Sequence, residues 1–162
     1  MISIDIASEQ SALTVDEQRL RVAVRTVLKR AGVRAAKISL AIVDDSMIHA
    51  LNRQYLGHDE PTDVLSFALQ DEGQTLEGEV VASAETALRR AEDFGWTADD
   101  ELLLYVIHGT LHLVGYDDRS PEDALRIRCE ETRVLAQFGL APQDGFEANP
   151  EYSPLRTRRT RR

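Results

Sequence analysis

Residues 108–118 have the sequence HGTLHLVGYDD and follow an almost uninterrupted apolar run that begins at Leu102. Residues four apart lie on the same face of a helix, about 5–6 Å from each other, so both histidines can reach one ion. The apolar residues before and between them indicate a helix that is buried nearly all round. Imidazoles in such an interior need polar partners. This stretch therefore predicts a central helix that carries two paired histidines, His108 and His112.

The residues after this helix favour a metal site. Gly115 permits a sharp turn, and Asp117 or Asp118 can swing back to supply a third ligand. Two histidines and a carboxylate around an open position suit catalytic zinc. The alternative is that both histidines are hydrogen-bonded core residues. This interpretation is the weaker one, because the two histidines have helical spacing and are followed by a glycine turn and paired aspartates.

The spacing H-x-x-x-H-x-x-G-x-x-D follows the metzincin zinc pattern, with aspartate in place of the last histidine. In zinc proteases the residue after the first histidine is the glutamate that serves as general base. Here that residue is Gly109. A peptidase is therefore disfavoured, although the metal chemistry can be shared.

Periodicities along the rest of the chain predict an α+β fold: a single domain with a small mixed sheet of about four strands flanked by about five helices. Apolar alternation or β-branched runs mark the strands, while capping residues and glycine stops mark the helices. Thr14 and Glu17 form a capping box for the first helix. The predicted strands are 2–6, 37–43, 64–69 and 78–83, and the predicted helices begin near 14, 44, 84, 97 and 120 and end near 32, 55, 94, 113 and 139.

The chain divides into a domain over residues 1–140 and an irregular tail over residues 141–162, where prolines interrupt a stretch without apolar period. Five arginines and no acid occupy the last seven residues, so residues 1–155 carry a formal charge of −14 against −9 for the whole chain. Net charge therefore does not attract RNA to the body, and RNA contact needs a local basic surface, a metal ion or the tail.

Several features point to the cytoplasm. The single cysteine, Cys129, cannot form an internal disulfide, and its apolar helical neighbours favour a core position. The N-terminus lacks the basic start and apolar stretch of a signal peptide. The longest apolar run is shorter than the roughly 20 residues that a membrane helix needs, so we expect no membrane partner.

The histidine block resembles the signature of the YbeY family, bacterial metal-dependent endoribonucleases that act in ribosomal RNA maturation and ribosome quality control. Three further blocks occur in the family's order: LNRQY at 51–55, PTDVLSF at 61–67 and GEVVAS at 78–83. The resemblance covers residues 2–138. It implies cleavage of single-stranded ribosomal RNA, with the ribosome or ribosomal proteins as partners. It also implies one divalent metal ion, expected to be zinc, held by His108, His112 and Asp118.

Two positions depart from the family pattern. The third ligand is usually histidine, and Asp118 lowers the formal charge of the site from +2 to +1. The arginine that usually follows the tyrosine of LNRQY, and that is linked to RNA cleavage, is Leu56 here. Loss of an arginine that stabilises transition-state charge costs several kcal/mol unless Arg53 or a tail arginine replaces it. The alternative function is therefore a ribosome- or RNA-associated binding module with weak or no cleavage.

Three further residues receive roles in the predicted site. Asp117 orients a metal ligand or accepts a proton, the alternative being a solvated turn residue. Arg53 and Ser66 are predicted to contact the substrate, Arg53 as a phosphate-binding cation and Ser66 as a cleft-lining hydroxyl. The alternative for Ser66 is a residue that only satisfies strand hydrogen bonds.

Overall fold

The computed structural model describes residues 1–72 and 75–141 and the two residues of a short strand at 160–161. Five helices and a mixed sheet confirm the predicted α+β class. The strands are β1 (Ile2–Glu9), β2 (Ala35–Val43), β3 (Val64–Glu72), β4 (Thr75–Ser83) and β5 (Thr160–Arg161). The helices are α1 (Glu17–Arg30), α2 (Asp45–Leu56), α3 (Ala84–Phe94), α4 (Ala98–Leu113) and α5 (Pro121–Ala136).

The sheet has the strand order β1-β2-β4-β3-β5. β1, β2 and β4 run parallel, and β3 is antiparallel to β4 through a hairpin. Both β3 and β4 are longer than the predicted strands 64–69 and 78–83, since β3 continues to Glu72 and β4 begins at Thr75. β5, which lies in the predicted tail, pairs with the first two residues of β3. The rest of the predicted tail lies outside the described residues.

The two faces of the sheet are covered unequally. Even-numbered strand residues such as Ile38, Leu40 and Val80 face the main core, which is completed by α1, α3, α4 and α5. Odd-numbered residues such as Leu65 and Val81 face α2, which adds Ile48 to a smaller cluster. This division follows from the alternation of side chains along a strand. On the main-core face, α4 packs against the sheet and against α1, α3 and α5, so that it is buried over almost its whole length.

Two local expectations are wrong. The N-cap of α1 is Asp16, whose carboxylate accepts a hydrogen bond from the amide of Arg19, so the helix begins two residues later than a Thr14 capping box requires. Aspartate outranks threonine as an N-cap. Cys129 is exposed, because α5 turns Ile127 and Val134 to the core and leaves Cys129 on the solvent side. None of the helices in the described ranges combines the length and apolarity that crossing a bilayer requires.

Candidate metal centre

The position of α4 is fixed by a close approach to the sheet at Gly109. A Cβ atom there would lie 2.7 Å from Val80 Cγ1 and 3.0 Å from both Val64 Cγ2 and Ser66 Oγ. The Ser66 hydroxyl also donates a 2.7 Å hydrogen bond to the Gly109 carbonyl. Only glycine leaves room for this contact. The helix is therefore held in one position at the residue directly after His108.

Both histidines are buried and lie together. His108 is 5% exposed and His112 is 2% exposed. Their Nε2 atoms are 3.3 Å apart, as the i, i+4 spacing predicts for two rings on one helix face.

The chain then reverses in a Schellman turn. The Tyr116 amide donates to the Leu111 carbonyl and the Gly115 amide to the His112 carbonyl. Gly115 has a φ of +109°, which favours glycine. The turn brings the Asp118 carboxylate back to the histidines, with its Oδ2 3.9 Å from His108 Nε2 and 3.8 Å from His112 Nε2. The predicted residues His108, His112 and Asp118 thus converge.

The donor atoms fit a divalent cation. Two nitrogens bound to a tetrahedral zinc ion at about 2.0–2.1 Å lie about 3.3–3.4 Å apart, which matches the separation of the two Nε2 atoms. The Asp118 oxygen needs to move inward by about half an ångström to take the third corner of the same geometry. In the described part of the chain, one ligand atom from each of these three residues lies within 4.8 Å of the others. Two imidazoles and one carboxylate form a donor set that zinc and other transition-metal ions accept.

Glu131 is a residue of this centre that the sequence reasoning missed. It lies on α5, is fully buried, and its Oε2 is in hydrogen-bond contact with His108 Nδ1. This contact leaves His108 Nε2 as the ring nitrogen that faces His112 and Asp118. The spacing held a signal, since Glu131 is four residues after Ile127 and three before Val134 and therefore lies on the apolar face of its helix.

Asp117 supports the turn and is not one of the converging ligands. Its Oδ1 accepts a 2.8 Å hydrogen bond from the Asp118 amide, and its Oδ2 lies 3.1 Å from Arg119 Nε. The side chain is 29% exposed. This position is compatible with the predicted orienting role, because the bond to the Asp118 amide fixes the backbone that presents the third ligand.

The two predicted substrate residues occupy different environments. Arg53 is exposed, and its guanidinium lies 4.0 Å from an Asp59 carboxylate oxygen that also accepts a bond from His49 Nε2 at 2.8 Å. Ser66 is fully buried, and its hydroxyl donates a hydrogen bond to the Gly109 carbonyl. Substrate contact by Ser66 would therefore require α4 to move away from the sheet.

Leu56, at the position where the resemblance implies an arginine, packs against the apolar cluster between α2 and the sheet. It is the last residue of α2 before the C-cap Gly57. Leucine is uncharged, so this position supplies no cation for an RNA phosphate.

Comparison with known proteins identifies the family. A family model described as endoribonuclease YbeY matches residues 5–139. The chain belongs to the YbeY family. The chain is 43% identical over 126 residues to an endoribonuclease YbeY of Rhodopirellula baltica, a match that covers 72% of this chain and 65% of that protein. It is 40% identical over 146 residues to an endoribonuclease YbeY of Pelotomaculum thermopropionicum, covering 83% and 96%.

A solved structure has a similar fold. The solution structure of TM1509 from Thermotoga maritima superposes with a TM-score of 0.56 at 26% identity, covering 95% of this chain and 97% of that one. The relatives that carry the YbeY name are described as endoribonucleases, so the alternative of a module that does not cleave RNA is not supported.

Proposed function

We propose that this YbeY protein is a zinc-dependent endoribonuclease that cleaves single-stranded regions of ribosomal RNA and acts on or near the ribosome in the cytoplasm. The observation that carries the proposal is the convergence of His108, His112 and Asp118 beside a glycine turn. Membership of a family of endoribonucleases makes RNA the substrate class. The donor set favours zinc as the ion.

The proposed mechanism assigns the metal to His108, His112 and Asp118. When bound, a divalent ion polarises a phosphoryl oxygen and makes an attacking water more acidic. The carboxylate of Asp118 keeps the formal charge of the centre one unit lower than a third histidine would. Asp117 orients Asp118 through the backbone amide between them. We assign proton transfer to Asp117 as the second part of its role, since its carboxylate is partly exposed beside the centre.

Arg53 is the proposed phosphate-binding residue of the body. Its side chain is 66% exposed, and its long contact with Asp59 is of the solvent-exposed kind that contributes about 0–1 kcal/mol. The guanidinium can therefore leave this carboxylate for an RNA phosphate with little loss. Ser66 acts on the substrate indirectly, by holding α4 and hence His108 in place.

We further propose that residues 1–140 form the catalytic domain and that residues 141–162 form an arm for RNA, of which Thr160 and Arg161 pair with the first residues of β3 at the edge of the sheet. Residues 1–155 carry a formal charge of −14, which repels polyanions, whereas the five arginines between 156 and 162 attract them. Such a cluster adds affinity for RNA that is independent of sequence and sensitive to salt. Ribosomal RNA and ribosomal proteins are the proposed partners.

The decisive test compares wild type with His112→Ala on single- and double-stranded RNA, with the metal content of each protein measured. Loss of a ligand should lower zinc to well below one equivalent and reduce cleavage to background while the fold persists. His58→Ala is the matched control, because His58 is an exposed histidine outside the centre. Cleavage that survives His112→Ala unchanged would assign the activity to another site or to a contaminant.

A further inference from the structure

The centre has a buried carboxylate that takes no part in the proposed ligand set. Glu131 is 0% exposed, and one of its oxygens is in hydrogen-bond contact with His108 Nδ1. Its other oxygen, Oε1, accepts no hydrogen bond within the described part of the chain. Burial of a charge that is only partly paired is unfavourable. The presence of this carboxylate therefore requires a compensating interaction.

The neighbouring residue shows what an ordinary structural carboxylate looks like on the same helix. Glu130 accepts hydrogen bonds from Arg30 Nε at 2.6 Å and Arg30 Nη2 at 3.2 Å, and from Arg133 at 3.3 Å. Its charge is thus matched by two guanidinium groups that join α5 to α1 and to its own next turn. Glu131 has instead a histidine whose other nitrogen faces the metal centre.

The contact between Glu131 and His108 selects one tautomer. A carboxylate accepts the proton on Nδ1, and the neutral ring then has its lone pair on Nε2. That atom is the one that lies 3.3 Å from His112 Nε2 and 3.9 Å from Asp118 Oδ2. A carboxylate behind a ligating histidine fixes the ring and makes it a better donor to the metal.

The charges lead to the same conclusion. Two neutral histidines, Asp118 and a divalent ion give a formal charge of +1, and the buried carboxylate of Glu131 brings the whole centre to zero. A cation is thus the partner that would compensate Glu131 most fully at this depth.

We propose that Glu131 is a positioning residue for the metal centre, which fixes the tautomer and orientation of His108 and thereby raises the affinity for a divalent cation. The inference rests on the proposed function, since it assumes that the three converging residues hold an ion. Glu131 would thus support the three proposed ligands from α5, a helix that carries none of them.

The test measures zinc affinity and not activity. Protein freed of metal is titrated with zinc against a chromophoric chelator for wild type, Glu131→Gln, Glu131→Met and Glu130→Gln. Removal of such a supporting carboxylate lowers metal affinity about 10- to 100-fold. We expect the loss of zinc affinity to be near 100-fold for Glu131→Met. For Glu131→Gln it should be near tenfold, because the glutamine amide oxygen can still accept a hydrogen bond from His108 Nδ1–H. Glu130→Gln, which has the same change in charge one residue away, should bind zinc as wild type does.

Thermal unfolding without metal separates positioning from a structural role. Glu131→Met removes the buried acceptor of His108 Nδ1–H, so the metal-free variant should unfold at a lower temperature than wild type. Positioning is therefore measured by the increase in unfolding temperature that zinc adds to each protein, which should be smaller for Glu131→Met and Glu131→Gln than for wild type and Glu130→Gln. Unchanged zinc affinity in a folded Glu131→Met or Glu131→Gln variant would overturn the inference. Should Glu131→Met not fold, the Gln variant decides by the same criterion. Failure of wild type itself to bind zinc would overturn the proposed function as well.

Discussion

The close contact at Gly109 predicts that a substitution which normally stabilises a helix will destabilise this protein. In a helix, alanine is normally about 1 kcal/mol more favourable than glycine. At Gly109 the added methyl would lie 2.7 Å from Val80 Cγ1 and 3.0 Å from Val64 Cγ2. Both neighbours are β-branched and stiff at χ1, so neither can turn aside easily. We therefore expect Gly109→Ala to destabilise the protein although it improves helix propensity.

The magnitude follows from three contributions. Overpacking of a dense core costs typically 1–3 kcal/mol. Lifting α4 stretches the 2.7 Å hydrogen bond from Ser66 to the Gly109 carbonyl, which is worth about 0.5–1.5 kcal/mol. Subtracting about 1 kcal/mol for helix propensity leaves a net loss of about 0.5–3.5 kcal/mol. For a domain of this length the loss lowers the melting temperature by roughly 1–14 °C.

The assay is urea denaturation of wild type, Gly109→Ala, Val80→Ala and the double variant, all without metal. Shortening Val80 opens the space that the new methyl needs, so the alanine at 109 should be less harmful in the Val80→Ala background. Because His108 precedes Gly109, we also expect Gly109→Ala to weaken zinc binding. A Gly109→Ala protein as stable as wild type or more so would refute the reasoning that close packing fixes α4.

Three further perturbations test charge in and around the centre. An arginine at position 56 would donate hydrogen bonds to the negative charge that develops on the phosphate, so Leu56→Arg should raise the rate of RNA cleavage about tenfold to a thousandfold. An unchanged rate would show that another cation already stabilises this charge. Asp118→His makes the centre more positive, so the rise of the cleavage rate with pH should move to lower pH, a shift that a pH–rate profile detects. The Arg30 guanidinium, hydrogen-bonded to Glu130, holds the pKa of that carboxyl below its usual 4.5. This pair therefore stabilises the fold above pH 4.5 and loses its contribution as the pH falls through the lowered pKa, so the excess unfolding free energy of wild type over Glu130→Gln should shrink in acid.

Local patterns predicted much of this fold because the relevant physics is local. The N-caps of α2 and α4 are Asp44 and Thr97, which agree with the helix starts predicted near 44 and 97. The apolar sequence of α4 predicted a helix buried all round, and thirteen of its residues are buried. The pairing of the i, i+4 histidines and the turn at the glycine depend only on local helix geometry, so the sequence alone predicts that the proposed ligands lie together.

The parts that could not be predicted depend on which elements meet. Ser66 is predicted to contact the substrate because it lies in the strand that contains the family block PTDVLSF. That position does not show that α4 covers this part of the strand and accepts the Ser66 hydrogen bond. Glu130 and Glu131 are adjacent acids with similar local sequence, yet one faces Arg30 on α1 and the other His108 on α4. Helical period identifies the face on which a residue lies but not the partner across it.

Gly109 has a structural role that its sequence position does not show. Zinc proteases have their general base at this position, so the sequence alone shows only that a peptidase is disfavoured. In the fold, its missing side chain is what lets α4 rest on Val64 and Val80. A glutamate at this place would collide with Val80, Val64 and Ser66 and would bury its charge against the sheet. The close approach of α4 to the sheet therefore excludes a general base from the position after His108, and the same approach fixes the helix that carries both histidines.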